Sequence, residues 1–399
     1  MSRKVYITGL GVVSPIGIGR AAFLEGLRSG RVGTGPVDGL DITGFRIGRG
    51  GEIPDAALSR GDDDLNEARG LVLALLASHE AIADAGLESL PAESVLATGS
   101  GAGEMRAMEI TMGAPQAALP LDHADPIQPP NALTSKLAKR LGLRGRQLTF
   151  VNACAAGAQA IAVAADLIRH GRSDIALAGG VEVLSRMVLS GFEALRAVSA
   201  SACRPFDAER DGIQLAELAA FVVLESEERV HQRPARPYAV VAGSGASADA
   251  THVVRPDEQG AGAALAIRRA LDDAGVRPDE VDYVNAHGTG TVQNDPAELA
   301  ALTSVFGERA GRMPISSTKS MLGHALGASG AAEVVACALA LREGFLPPTA
   351  GHRRPIPGYE GFDFVAEGAR EGVRLRHVVS NAFAFGGNNV VLVLSSPEG

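Results

Sequence analysis

The chain has 399 residues, 46% of them hydrophobic, which suffices for one large α/β domain or two to three ordinary ones and excludes disorder as a class. Acidic residues outnumber basic ones 46 to 37, a net charge of −9, which argues against general binding to nucleic acid or a membrane surface. Three cysteines, Cys154, Cys203 and Cys337, are too few and too scattered for a disulfide framework, and no metal-ligand spacing appears.

The N-terminus is a short basic start running into a predicted strand at 4–8 that glycines break. It lacks the apolar core of a signal peptide, and no later stretch is long enough to span a bilayer, so a cytoplasmic protein is expected. Further strands are predicted at 95–98, 148–151, 174–178 and 221–225, then at 238–243, 281–285, 314–316, 377–380 and 390–394. Helices are predicted at 66–85, 131–141, 157–170, 263–274, 295–306 and 329–342. This alternation implies α/β layers with a largely buried sheet. The proline-bearing stretch 233–237 is the best boundary, dividing the chain into 1–235 and 236–399. Each half opens on a glycine-punctuated strand and later reaches a polar residue at a strand end, Cys154 and then His287, which hints at duplication.

Cys154 ends an apolar, β-favouring run and precedes an alanine-rich helix that Gly171 stops. A cysteine at a helix N-terminus is expected to favour thiolate, the nucleophilic form. His287 stands at a strand's carboxyl end beside Gly288, Thr289, Gly290 and Thr291, where open α/β sheets place ligands. Asp295 reads as the N-cap of the next helix, with Pro296 first and Glu298 closing a capping box. Lys319 and His324 lie among small residues before an apolar helix. Gly386 and Gly387 offer backbone N–H groups for an anion, next to Phe383 and Phe385.

Taken in order, Cys154 in a small-residue elbow, His-Gly-Thr-Gly-Thr with Asn-Asp-x-x-Glu, Lys-Ser-x-x-Gly-His-x-x-Gly-Ala, and Phe-x-Phe-Gly-Gly-x-Asn form a series that resembles the elongating β-ketoacyl-acyl-carrier-protein synthases. The likeness runs from the first strand to Asn389. It implies a thiolase-like α/β fold, with duplicated halves in a five-layer αβαβα arrangement, and decarboxylative condensation of a Cys154-bound acyl chain with a malonyl-type thioester. By the same resemblance, Cys154 and Phe385 supply the oxyanion hole, His287 and His324 stabilise the enolate through Nε2–H, Lys319 pairs with Glu298, Thr289 and Thr291 hold the pantetheine arm, and Phe385 gates the site. No cofactor of its own is implied, since phosphopantetheine arrives on the acyl carrier protein. A homodimer, or a heterodimer with a related chain, is the expected assembly. The alternatives are acyl transfer or decarboxylation without condensation, and a non-catalytic chain-length-type partner.

The chain departs from that pattern in several places. The stretch 213–220 keeps Glu217 but lacks three glycines, and Ala384 replaces a glycine, which is expected to stiffen the gate. Three aspartates at 62–64 stand where carrier-docking bases are common, which leaves Arg196 and the helix with Lys136, Lys139 and Arg140 for docking. Ala102 and Gln128 replace larger or aromatic residues, so with Phe383 they are expected to shape a roomier or more polar acyl pocket. A specialised polyketide or modified fatty-acid pathway fits these changes.

Overall fold

The computed structural model describes residues 3–58, 68–113 and 129–398. Among the described residues eleven strands form the main sheet: a two-residue strand, Gly17–Ile18, that pairs only with the first, and ten that run in one continuous order. In chain order the ten are β1 (Val5–Ser14), β2 (Val95–Gly99), β3 (Gln147–Phe150), β4 (Ile175–Glu182), β5 (Leu218–Ser226), β6 (Ala239–Ala248), β7 (Tyr283–Asn285), β8 (Ile315–Ser316), β9 (His377–Ala384) and β10 (Asn388–Ser395). Their spatial order is β8-β7-β9-β10-β6-β1-β5-β4-β2-β3. Adding five to each strand number of the first half reproduces the second. In both halves the strand next to the edge, β2 or β7, pairs in parallel with its two neighbours, and the remaining pairs are antiparallel. The halves meet where β1 pairs with β6 through Tyr6 and Ile7.

Nine helices matter here: α1 (Arg20–Ser29), α2 (Arg69–Asp84), α3 (Met105–Gly113), α4 (Ala132–Arg140), α5 (Ala156–Arg169), α6 (Arg186–Ala194), α7 (Ala261–Ala274), α8 (Asn294–Phe306) and α9 (Leu326–Glu343). Three apolar cores separate the layers. Helices α2 and α4 cover the outer face of the first half, with Leu71, Leu133 and Leu137. Helices α5 and α9 fill the space between the two half-sheets, and α7 and α8 cover the outer face of the second half. Strands β4 and β5 are buried throughout and therefore apolar without alternation. The result is the five-layer duplicated arrangement that the motifs imply. No helix among the described residues is long and apolar enough to cross a membrane.

Every predicted strand exists, but the first is longer than expected. Glycines that read as strand breaks are seats for helices instead. A Cβ at Gly9 or Gly11 in β1 would run into the carbonyls of Ala81 and Ala77 on α2. Gly243 and Gly245 in β6 meet α7 in the same way, at Ala270, Ala274 and Ala266, so the close approach is itself duplicated. Helices α1, α3 and α6 went unread; each spans only nine or ten residues and includes a glycine, Gly26, Gly113 or Gly191, which disfavours helix. Helix α6 is nonetheless capped, since the Ser185 hydroxyl accepts from the Val188 N–H at 3.3 Å.

In the middle layer α5 and α9 cross with almost no side chain between them. A Cβ on Gly157 would lie 2.7 Å from the Gly327 oxygen, and one on Gly330 would lie 2.8 Å from the Ala158 Cβ. Gly191, in α6, has open space around its missing Cβ. Gly157→Ala is therefore expected to cost about 1–3 kcal/mol of stability by overpacking. Gly191→Ala should gain about 0.4–1 kcal/mol by restricting the unfolded chain. Urea unfolding of both variants checks the pair, and equal effects would contradict the crossing geometry.

Candidate active site

Cys154 sits in a single 3-10 turn, Ala153–Ala155, between β3 and α5. Its neighbour Ala153 takes a left-handed backbone, φ 51°, an uncommon conformation for a residue with a Cβ. The turn buries the thiol, which is 6% exposed, among Leu184, Leu189, Ile213 and Leu326. Burial pushes the thiol up to about 12, while the Lys319 charge and the N–H groups of Phe385 and Cys154 itself pull it down and Glu182 adds to the rise. The expectation that the helix terminus favours thiolate is thus overturned for the resting protein, because desolvation outweighs the nearby donors.

His287 follows β7 and His324 precedes α9, both almost fully buried. Their rings stand edge to face with centroids 5.5 Å apart, and Phe383 closes on His287 at 5.8 Å. Burial, then the positive charge of Lys319, hold both imidazoles well below their ordinary value, so both are neutral. The Lys319 ammonium has only donors, and its Nζ lies 3.3 Å from His287 Nδ1. Nδ1 is therefore the acceptor, and the His287 proton sits on Nε2. His324 Nδ1 meets the Ser329 hydroxyl at 3.0 Å.

Lys319 does not pair with Glu298. It makes its ion pair with Glu333 of α9, and both groups are 1% exposed. Glu298 instead accepts the backbone N–H groups of His287 at 2.8 Å and Gly288 at 2.7 Å, and the Asn381 amide at 3.0 Å. It shapes the histidine loop, and Glu333 compensates the lysine. Glu333 was missed, although a lone acid inside an otherwise apolar helix was the signal. Asp295 is not the N-cap either: α8 begins at Asn294, and the Asp295 carboxylate accepts from Phe206 N at 2.7 Å and Gly290 N at 3.1 Å.

Cys154, His287, His324, Phe383 and Phe385 line one cavity of about 310 Å³. Thr289 and Thr291 stand along its wall with their hydroxyls 3.0 Å apart. Phe385 is 36% exposed and stacks on Phe192 of α6 at 5.6 Å, a contact not read from the sequence. Its loop is tied down by Gly386 N donating to Val253 O at 2.7 Å and by the Asn389 amide donating to Asp249 at 2.7 Å. Ala384 is extended, with φ −136°, and the left-handed positions fall on Gly386 and Gly387, so alanine brings no strain at 384. The stiffening expected from alanine at 384 therefore has no basis in the backbone there.

Arg196 is exposed at the cavity mouth, as is Arg255, which the sequence reading missed. Lys136, Lys139 and Arg140 belong to α4, which packs on α2 at the outer face of the first half, and none of them lines the mouth. Ala102 does not line the cavity: its N–H donates to Glu182 at 3.0 Å. The aspartates at 62–64 and Gln128 lie outside the described residues. Of the three positions without glycine, Leu218 and Ala220 continue β5, and Ala216 bridges to Gly51 just before it. Glu217 is fully buried and pairs with Arg69 at 2.7 Å and Arg106 at 3.1 Å.

Residues 2–229 match the family model for the β-ketoacyl synthase N-terminal domain, and residues 238–353 match that for the C-terminal domain. Nodulation protein E of Rhizobium meliloti is 39% identical over 98% of this chain and 99% of its own length. The 3-oxoacyl-[acyl-carrier-protein] synthase 2 of Coxiella burnetii is 38% identical, covering 98% of both chains. The solved ishigamide ketosynthase/chain length factor superposes with a TM-score of 0.90 at 36% identity, over 99% of this chain and 100% of that one.

The lowered histidines have a consequence for stability. A histidine whose folded pKa is depressed contributes fully above its unfolded value, near 6.5, and loses that contribution as the pH falls below it. Glu182 and Glu333 oppose this: burial raises each to about 7 from 4.5, so their contribution grows as the pH falls from 7 towards 4.5. Subtraction isolates the imidazole. The stability of wild type minus that of His324→Asn should fall by up to about 1.4 kcal/mol per pH unit below pH 6. Denaturant titrations at several pH values measure this, and a difference independent of pH contradicts a depressed His324.

Proposed function

This chain belongs to the β-ketoacyl synthase family, and from that premise we propose that it lengthens acyl chains by decarboxylative condensation at Cys154, His287 and His324. One observation carries the reading: a buried thiol and two neutral imidazoles face one cavity whose mouth reaches the surface.

In the first step the Cys154 sulfur attacks the carbonyl of an acyl thioester. The thiol proton, held tightly at rest, is transferred as the new C–S bond forms, and the departing pantetheine sulfur takes it. One thioester replaces another, so the exchange is near energy-neutral and needs mainly charge stabilisation. The N–H groups of Cys154 and Phe385, both close enough to the sulfur to pull its pKa down, are suited to hold the oxyanion. In the second step a malonyl-type thioester loses carbon dioxide, and the electron pair of the broken C–C bond becomes an enolate. The Nε2–H of His287, with its tautomer set by Lys319, and the imidazole of His324 stabilise the enolate oxygen. Neutral histidines fit, because a strong acid there would protonate the enolate carbon and end the reaction. That carbon then attacks the Cys154 thioester. The new C–C bond displaces the sulfur, which takes up a proton and returns to the thiol.

Thr289 and Thr291 on the cavity wall suit the amides of a pantetheine arm, and Arg196 and Arg255 at the mouth suit an acidic carrier protein. The name of the Coxiella relative includes an acyl carrier protein, and that of the solved neighbour a chain length factor. We infer a carrier-bound substrate and a dimer, working in the cytoplasm, in polyketide or modified fatty-acid synthesis. The sheet edges favour an interface at β3. Edge strand β8 is covered by backbone bonds to Asp363 and Val365, whereas β3 pairs only with β2 among the described residues and Val151 beside it is 54% exposed.

Two variants separate the half-reactions. Cys154→Ala should lose the acyl adduct seen by intact mass while still decarboxylating malonyl-carrier. His287→Asn should load the acyl group within a few-fold of wild type and lose decarboxylation by about 10²-fold or more. Loss of both half-reactions in both variants would contradict this division of labour.

A further inference from the structure

Glu182 closes β4 and is 2% exposed, and its charge is close enough to Cys154 to raise the thiol. Among the described residues no cation pairs with it. Its carboxylate accepts four hydrogen bonds instead. One oxygen takes the N–H groups of Gly101 at 2.6 Å and Gly327 at 3.0 Å, and the other takes Ala102 N at 3.0 Å and the Ser100 hydroxyl at 3.3 Å. Three of these donors lie on the loop after β2 in the first half, and the fourth is the second residue of α9 in the other half. The Ser100 hydroxyl also accepts from Gly103 N at 2.8 Å, which closes the loop on itself. Loop and helix touch through backbone, since a Cβ on Gly327 would run into Gly101 and Ser100. Leu326, the residue between this contact and His324's turn, belongs to the apolar cluster around Cys154 together with Leu184 and Leu189.

We propose that Glu182 is a positioning residue for the acyl group: by binding residues 100–102 to the start of α9, it sets the apolar seat beside Cys154 and thereby which acyl chains the thiol accepts. The proposal rests on the condensing reading above and adds a residue to it. Glutamine at 182 would turn one of the two accepting ends into a donor facing donors, whichever way the amide lies. The loop would lose its tie to α9, and the seat its definition. The enolate site at His287 receives no hydrogen bond from this carboxylate.

The test uses the full chain and a series of saturated acyl thioesters of increasing length, read by intact mass at Cys154. Glu182→Gln should load about tenfold more slowly on its best chain and accept a broader range of lengths. Malonyl decarboxylation should stay within about twofold of wild type, and with the pH held above 8, where the Glu182 carboxyl raised to about 7 is ionised, iodoacetamide should alkylate Cys154 no more slowly, since removing a negative charge makes the thiolate easier to form. A collapsed fold would not give that combination. Ser100→Ala, a milder cut of the same tie, should shift the length profile in the same direction by about two- to threefold. If wild type takes no acyl group at all, the condensing reading fails. If wild type loads and Glu182→Gln loads with the same rate and profile, the proposal is overturned. If loading, alkylation and decarboxylation all fall together in Glu182→Gln, an unchanged profile in Ser100→Ala overturns it, and a shifted one supports it.

Discussion

Helices α5 and α9 cross in the middle layer with backbone against backbone, because Gly157 and Gly330 present no side chain at the crossing. Glycine inside a helix costs stability, and here that cost permits an approach no other residue allows. The closeness has a chemical result. The turn before α5 carries Cys154 and the turn before α9 carries His324, so a contact between two halves of a duplicated fold brings two groups of the proposed reaction to one cavity. The same demand for small residues explains the alanine-rich sequences of both helices and the deep burial of everything around them.

That burial governs the electrostatics. Lys319 is one positive charge in a dry interior, compensated by Glu333 and touching His287. Breaking such a pair leaves an uncompensated buried charge, so the lysine's place is tightly constrained. Burial first, and the lysine's field second, hold both histidines neutral; the same field pulls the Cys154 thiol down, while desolvation pushes it up more strongly. The resting site is therefore a protonated thiol beside two neutral donors. In the proposed reaction the thiol proton leaves with the departing pantetheine sulfur.

Much of this was legible in the sequence. The strands stand out because a sheet covered on both faces is written in continuous apolar runs, and β4 and β5 are such runs. The polar residues of the cavity were legible because chemistry leaves Cys154, His287, Lys319 and His324 stranded among small and apolar neighbours. What stayed hidden is whatever depends on distance across the fold. Two carboxylates, Glu298 and Glu333, were available to Lys319, and only the packing of α9 decides between them. Glycines at 9, 11, 243 and 245 carry the same letters as a strand break, and only the helix above each shows that they are contact points. The thiol's protonation could not be read from a helix terminus, since the terminus lies in the string and the desolvation does not. Helix α6, whose Phe192 meets Phe385, spans only nine residues with Gly191 among them, so it did not announce itself.

The central claim is that one cavity couples carbon dioxide loss to chain growth on Cys154. A single-turnover reaction tests it most directly: acyl-loaded protein, free of excess primer, is mixed with malonyl-carrier, and carbon dioxide, carrier product and residual adduct are measured together. The account predicts one carbon dioxide for each β-ketoacyl carrier formed, two carbons longer than the primer, with Cys154 returned to free thiol. Carbon dioxide released while the acyl group remains on Cys154 would contradict it.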